Sequence, residues 1–400
     1  MTDRLYYDDA YLTAFDARVL ECRPCGERWQ VRLDRSAFYP TSGGQPFDTG
    51  TLGEAHVTDV CVEAGEVWHT VDAQFQPGTP VHGQIDWLRR FDHMQQHAAD
   101  HMIAGALHRL MGGVTIGLHI SDEVSTIDVS MPNGDTRIPD SAIHRIEADV
   151  NAHIQRDVPI RCWFPDAAEL AALPLRKAPT VSEHVRIVAI GDDEMVACGG
   201  THPSTAGQLG LVKILGVAPA RGKMRVSFLA GRRALTDYAH CYDAAHRAAE
   251  LFSTGVEHLC SSVSAAQERI RFLEAELGKL RRELLPMQAK QMLAGAERLG
   301  NGVRMVAQFV DADAALLREM ASQLVKGSGV VALLGAEAGE RAIYVFGRSG
   351  DVAIDMGALL RECAVPLGGK GGGKPDFAQG GGSKEILNAA RERLRSARFD

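Results

Sequence analysis

Four hundred residues, 45% hydrophobic and 24% charged, are enough for two or three domains with buried cores and have the balance of an ordinary soluble chain. A formal net charge of −8 argues against bulk electrostatic attachment to nucleic acid and leaves local basic patches as the only electrostatic route to it. The opening "MTDRLYYDDAYL" has no apolar signal-peptide core, no apolar run is long enough to span a bilayer, and eight scattered cysteines form no disulfide framework, so the expectation is a reduced, cytoplasmic protein without membrane contact.

From Leu5 to about Ile85, alternating segments such as "WQVRLDRSAFYP" and "GEAHVTDVCVEAGEVWHTVD" predict a small β-barrel or sandwich, an N-terminal domain over 1–85. Within it, Cys22 and Cys25 form a lone Cys-x2-Cys with no second pair, which reads as an incidental turn between strands. "PTSGGQP", with Gly43 and Gly44 flanked by prolines, reads by itself as a β-turn. The period turns helical near Arg89, opening a mixed α/β domain over 86–234 with strand candidates "STIDVSM", "VRIVAI", "LVKILGVA" and "MRVSFLA". Val256, Leu259, Val263, Ala266, Ile270, Leu273, Leu277, Leu280 and Leu284 then keep a strict 3-4-3-4 spacing that ends at Pro286. This heptad seam makes 235–300 a helical arm, either a hairpin on its own chain or a coiled-coil homodimer contact. Residues 301–400 read as a small α/β domain in the order strand, helix, strand, strand, helix, with the glycine-rich loop "PLGGKGGGKPDFAQGGG" leading into a last helix. The fold class is therefore α+β.

The chemistry lies in "RRFDHMQQHAADHMIAGALHRL", where His93, His97 and His101 follow at intervals of four. Side chains at i and i+4 share a helix face, so two of the three can pinch one ion. On a helical wheel, Met102, Ile103, Ala106, Leu107 and Leu110 form an apolar stripe, and His97 and His101 fall opposite it with His93 towards the edge. Gly105, with Ala98 and Ala104, predicts an unobstructed floor beside the two imidazoles. About a hundred residues on, "ACGGTHPS" supplies Cys198 and His202 from a loop in which Gly199 and Gly200 disfavour helix. Three imidazoles and a thiolate suit tetrahedral zinc. Four protein ligands typify a closed structural zinc, whereas catalytic zinc usually keeps a position for water. Ala98 stands where a His-Glu-x-x-His peptidase needs its glutamate, so that class is disfavoured.

Five segments, in order along essentially the whole chain, resemble the long form of the free-standing alanyl-tRNA editing proteins called AlaX, relatives of the editing and C-terminal domains of alanyl-tRNA synthetase. They are "FYPTSGGQPFDTG", "HAADHMIAGAL", "CGGTH", "FLAGRRAL" and "GGKGGGKPDFAQGGG". The resemblance implies a Zn2+ set of His97, His101, Cys198 and His202, leaving His93 as a neighbour. It implies a trans-editing hydrolase that removes serine, and glycine, from mischarged alanine tRNA. No room remains for an ATP-binding aminoacylation domain, so charging of tRNA is not expected.

On that reading Gly43 and Gly44 let backbone approach the ligand, while Thr41 and Gln45 hydrogen-bond the substrate hydroxyl, its amine or the attacking water. Two basic clusters offer phosphate contacts: Arg221, Lys223, Arg225, Arg232 and Arg233, and then Lys370, Lys374, Lys384, Arg391, Arg393, Arg395 and Arg398. The glycine-rich segment lacks the Gly-x4-Gly-Lys-Ser/Thr spacing of a nucleotide-phosphate loop. Two other readings stay open: a zinc-stabilised tRNA-binding protein without hydrolysis, and a deacylase acting on threonine tRNA.

Overall fold

The computed structural model describes residues 2–396 apart from 180, 182 and 301, so Arg398 of the second basic cluster lies outside the described residues. The chain divides into two compact units, Met1–Ala248 and Ala249–Asp400.

In the first unit six antiparallel strands pair around a closed ring, in the order Ala14–Cys25, Arg28–Leu33, Glu66–Val71, Ala55–Glu63, Gly50–Leu52 and Pro80–Ile85. Alternation puts Val19, Val31, Leu33, Val60, Val67 and Val71 inside the ring, where they are fully or almost fully buried with Phe38 and Leu52. Cys22 and Cys25 end the first strand at a hairpin turn through Gly26, and both thiols are free.

Helix α1 (Trp87–Met111) leaves the ring at Asp86, whose carboxylate caps the Arg89 N–H, and stops at left-handed Gly112. Arg90 fastens it. This guanidinium is fully buried on the Asp48 carboxylate and also donates to the Ala10 carbonyl at 2.9 Å. Asp48 in turn accepts the Tyr39 N–H at 2.6 Å, so the segment "FYPTSGGQPFD" and α1 share one buried ion pair. Loss of either partner of such a pair costs roughly 3–5 kcal/mol, because the other charge is left buried and unpaired.

The wheel of α1 differs from expectation: every residue from His93 to Leu107 is buried, so no solvent face lies opposite the apolar stripe. The reason is enclosure. A four-stranded antiparallel sheet (Val212–Ala220, Lys223–Ala230, Ser125–Ser130, Val114–His119), α2 (Asp140–Gln155) and a three-stranded sheet (Ile160–Trp163, Ile187–Ile190, Glu194–Ala197) contribute to the same core as α1. The short helix α3 (Ala167–Ala172) and the long α4 (Gly231–Leu251) complete this part of the chain.

In the second unit α5 runs Leu259–Ala294, preceded by a 3-10 turn at Val256–His258 that takes Val256 off the heptad helix. The apolar spacing stops at Pro286, but the helix continues through it, because Leu285 and Ala289 are buried with α6 (Ala314–Leu324) in one core. A sheet in the order Glu297–Arg298, Arg304–Phe309, Val330–Ala338, Arg341–Arg348, Phe377–Gly382 and Lys370–Gly373 carries that core on one face. Its other face packs α7 (Met356–Ala364) and α8 (Ile386–Ser396). The glycine-rich segment is thus a hairpin of two strands rather than a loop, paired Lys370↔Gly381 through Gly373↔Ala378. Residues without side chains let the pair lie close under Leu360 of α7, whose side chain a Cβ at Gly371 would meet at 2.8 Å.

Candidate metal centre

The helix pair and the loop pair meet. One ligand atom from each of His97, His101, Cys198 and His202 lies within 4.8 Å of all the others. The Cys198 Sγ stands 3.4 Å from both His97 Nε2 and His202 Nε2. Bonds of about 2.0–2.3 Å place the corners of a tetrahedral zinc site roughly 3.3–3.8 Å apart, so the four groups need only small adjustments to share an ion. Both ring nitrogens of His101 and Nδ1 of His202 are buried without a partner. Buried polar atoms are normally paired, and a cation at the centre would satisfy at least one of them. On donor chemistry, spacing and orphaned nitrogens, the residues fit zinc.

Burial sets the protonation of these groups. It holds His97 down at about 3, with the Arg186 guanidinium contributing, keeps His101 and His202 well below the usual imidazole range, and pushes the Cys198 thiol up to about 12. The three imidazoles therefore stay neutral with lone pairs free, as ligation requires. The thiol would lose its proton only to a metal.

Gln45 does something other than expected. Its amide is fully buried, with Oε1 accepting from His97 Nδ1 at 2.8 Å and from the Thr201 N–H at 3.1 Å, while Nε2 donates to Thr201 Oγ1 at 2.8 Å. It fixes the His97 tautomer with Nε2 turned to the cluster and pins the ligand loop. The amide is turned to His97 and Thr201 and Gln45 does not border the cavity, so it acts here as a positioning residue. It reaches the site through a two-residue turn, in which Ser42 and Gln45 exchange both backbone hydrogen bonds and Gly43 and Gly44 have φ of 58° and 88°. Gly44 packs its backbone on the Leu118 carbonyl, and Gly43 lines the cavity. Thr41 is exposed and lies outside the cavity lining, whereas Ser42 belongs to it.

The loop needs glycine for close approach: a Cβ on Gly200 would lie 2.2 Å from the His97 ring. Arg186, missed in the sequence because nothing in its spacing marks it, donates from Nη1 to the carbonyls of Cys198 and Gly200 at 3.1 and 2.8 Å. The expected clear floor at Gly105 is occupied. The Glu194 carboxylate fills it, held by Arg176 at 2.7 Å, because the strand Glu194–Ala197 brings that side chain against α1. The open space lies elsewhere, in a cavity of about 550 Å3 bordered by Tyr7, Ser42, Gly43, Asp100, Phe164 and Arg186 with the cluster at one side.

Several expected RNA contacts are committed within the protein. Arg233 forms an ion pair with Asp92 at 2.6 Å and Arg225 with Asp128 at 2.7 Å. Lys384 pairs with Glu337, Arg391 and Arg395 with Glu297, and Arg393 with Glu362. Arg232, Lys370 and Lys374 are exposed and have no acidic partner among the described residues.

Residues 185–227 match the family described as threonyl and alanyl tRNA synthetase second additional domain, 7–89 that of tRNA synthetases class II (A), and 302–397 the DHHA1 domain. Alanyl-tRNA editing protein AlaX-L of Pyrococcus horikoshii is 31% identical, with 99% of each chain covered. Alanine–tRNA ligase of Halorubrum lacusprofundi is 34% identical over 99% of this chain and 44% of the ligase, so the chain spans less than half of that protein. The solved C-Ala domain of Aquifex aeolicus alanyl-tRNA synthetase is 24% identical, covering 25% of this chain and 98% of that domain, with a TM-score of 0.24. The chain belongs to the alanyl-tRNA editing family of AlaX-L.

Proposed function

We propose that this protein deacylates mischarged alanine tRNA, hydrolysing the ester between serine, or glycine, and the terminal adenosine. Family membership supports editing of tRNA(Ala) in general. The observation that carries the hydrolytic reading is the cluster of His97, His101, Cys198 and His202 bordering a cavity open to ligand. A synthetase pocket shaped for alanine discriminates weakly against glycine and serine, so a second site that hydrogen-bonds the serine hydroxyl is needed to separate serine from alanine. The Ser42 hydroxyl, on the cavity, is the group proposed to read that hydroxyl, while the Gly43 backbone leaves room for the ester.

Zn2+ held by the four ligands would supply a Lewis acid for the ester carbonyl. The chain's own residues orient and exclude: Gln45 and Arg186 hold the ligand groups in place, and the rings of Tyr7 and Phe164 line the cavity. Arg232, Lys370 and Lys374 are proposed to meet tRNA phosphates, and a cytoplasmic setting suits that partner. No helix among the described residues is long and apolar enough to cross a membrane. The arm is proposed to join two copies, because Ile270, Leu273 and Leu280 remain about half exposed at 56%, 49% and 53%.

A second reading has one observation behind it: four protein ligands can close around zinc completely, giving a tRNA-binding protein with no hydrolysis. Incubation with seryl-tRNA(Ala) separates the two. Serine release above that of a metal-stripped control is expected, and none would leave binding alone. Replacing the tRNA body with threonine tRNA in the same assay tests the remaining alternative, with slower release expected.

A further inference from the structure

The geometry points to Asp100 as the receptor for the α-ammonium of the aminoacyl group, an inference that rests on the deacylase reading. Asp100 precedes His101 on α1 and is only 5% exposed, yet it lines the cavity. Its Oδ1 is buried without any hydrogen-bond partner. Neither nearby guanidinium is hydrogen-bonded to it, although the Arg186 Nε is itself buried without a partner. Arg176 donates to Glu194 at 2.7 Å and to Thr115 Oγ1 at 3.3 Å, and the Arg186 Nη1 is committed to the ligand-loop carbonyls.

A buried carboxyl oxygen left without a partner is costly until a donor arrives. The other acidic side chain bordering the cavity, Glu183, is exposed and already solvated. An α-amino ester brings a group that only donates, an ammonium, beside the bond to be cut. The imidazoles are the groups that would hold the ion, so their lone pairs are not offered to the ammonium. Asp100 can, and the pairing removes the unsatisfied oxygen and fixes the end of the substrate common to serine and glycine. The chemical class accepted is thus an α-amino acid ester with a free amine, and an N-acylated ester is disfavoured.

The test compares seryl-tRNA(Ala) with N-acetylseryl-tRNA(Ala) on the full-length, zinc-loaded protein. Wild type should prefer the free amine about ten- to a hundredfold in kcat/KM, through KM, as a charge-assisted hydrogen bond provides. Asp100→Asn, which keeps the shape and removes the charge, should close that gap while zinc stoichiometry stays at the wild-type value. Retention of the preference, or loss of zinc, overturns the proposal. Calorimetric binding of a non-hydrolysable 3′-serylamido adenosine keeps the two hypotheses apart. If wild type hydrolyses nothing yet binds this amide more tightly than Asp100→Asn does, the deacylase reading fails and the receptor stands; equal affinities end the receptor.

Discussion

At the residue scale, His97, His101, Cys198 and His202 divide from His93 by what each imidazole faces. His93 is buried, but it is absent from the group that converges on Cys198. Cys198→Ala should therefore lower zinc content and deacylation together, while His93→Asn leaves zinc content at the wild-type ratio by metal analysis. Spacing in the sequence marked the two pairs but left open which two of His93, His97 and His101 were meant, and the family resemblance singled out His97 and His101. Arg186 and Asp100 were not legible there, nor were the contacts of Gln45: its partner Thr201 lies 156 positions away, and only folding brings the amide to it. The same blindness applies to His69, whose fully buried ring donates from Nδ1 to the Val31 carbonyl and accepts at Nε2 from Ser36. Burial holds its pKa down at about 4. Between about pH 6.5 and 4 the unfolded chain then binds the proton that the folded one refuses, so stability falls as pH drops through that window, by about 3 kcal/mol in all. Urea midpoints across the range should show that slope, and His69→Gln should remove its share, leaving that of the other buried imidazoles.

At the element scale, the strands of the closed ring follow the alternation of their sequences, Val330–Ala338 opens on a continuous apolar run over 330–336 covered on both faces, and α1 starts and stops at the cap residues its sequence supplies. Where expectation and structure part, the cause is tertiary. The stripe on α1 misled because sheets and α2 share its core, and the glycine-rich loop became a hairpin because Leu360 packs over it. Pro286 marks the end of the heptads without ending α5, since Leu285, directly before it, and Ala289, three residues after it, are buried. The half-exposed leucines of α5 predict that Leu273→Asp shifts sedimentation from dimer to monomer without altering the unfolding of the C-terminal sheet. An unchanged monomer in both proteins would reduce the seam to a bare helix face.

At the scale of the whole molecule, all four cluster residues, Gln45, Arg186 and Asp100 belong to Met1–Ala248. A fragment of 1–248 should accordingly retain full zinc stoichiometry, and its Km for seryl-tRNA should rise if Lys370 and Lys374 contribute phosphate contacts. The distance along the chain between His101 and Cys198 has a thermal consequence. An ion joining them works as a clasp across a loop of about a hundred residues, and a cross-link of that span withdraws on the order of 4–5 kcal/mol of freedom from the unfolded chain. Chelator would thus reach beyond chemistry: melting scans with and without it should separate by several degrees, turning heat resistance into a gauge of metal supply.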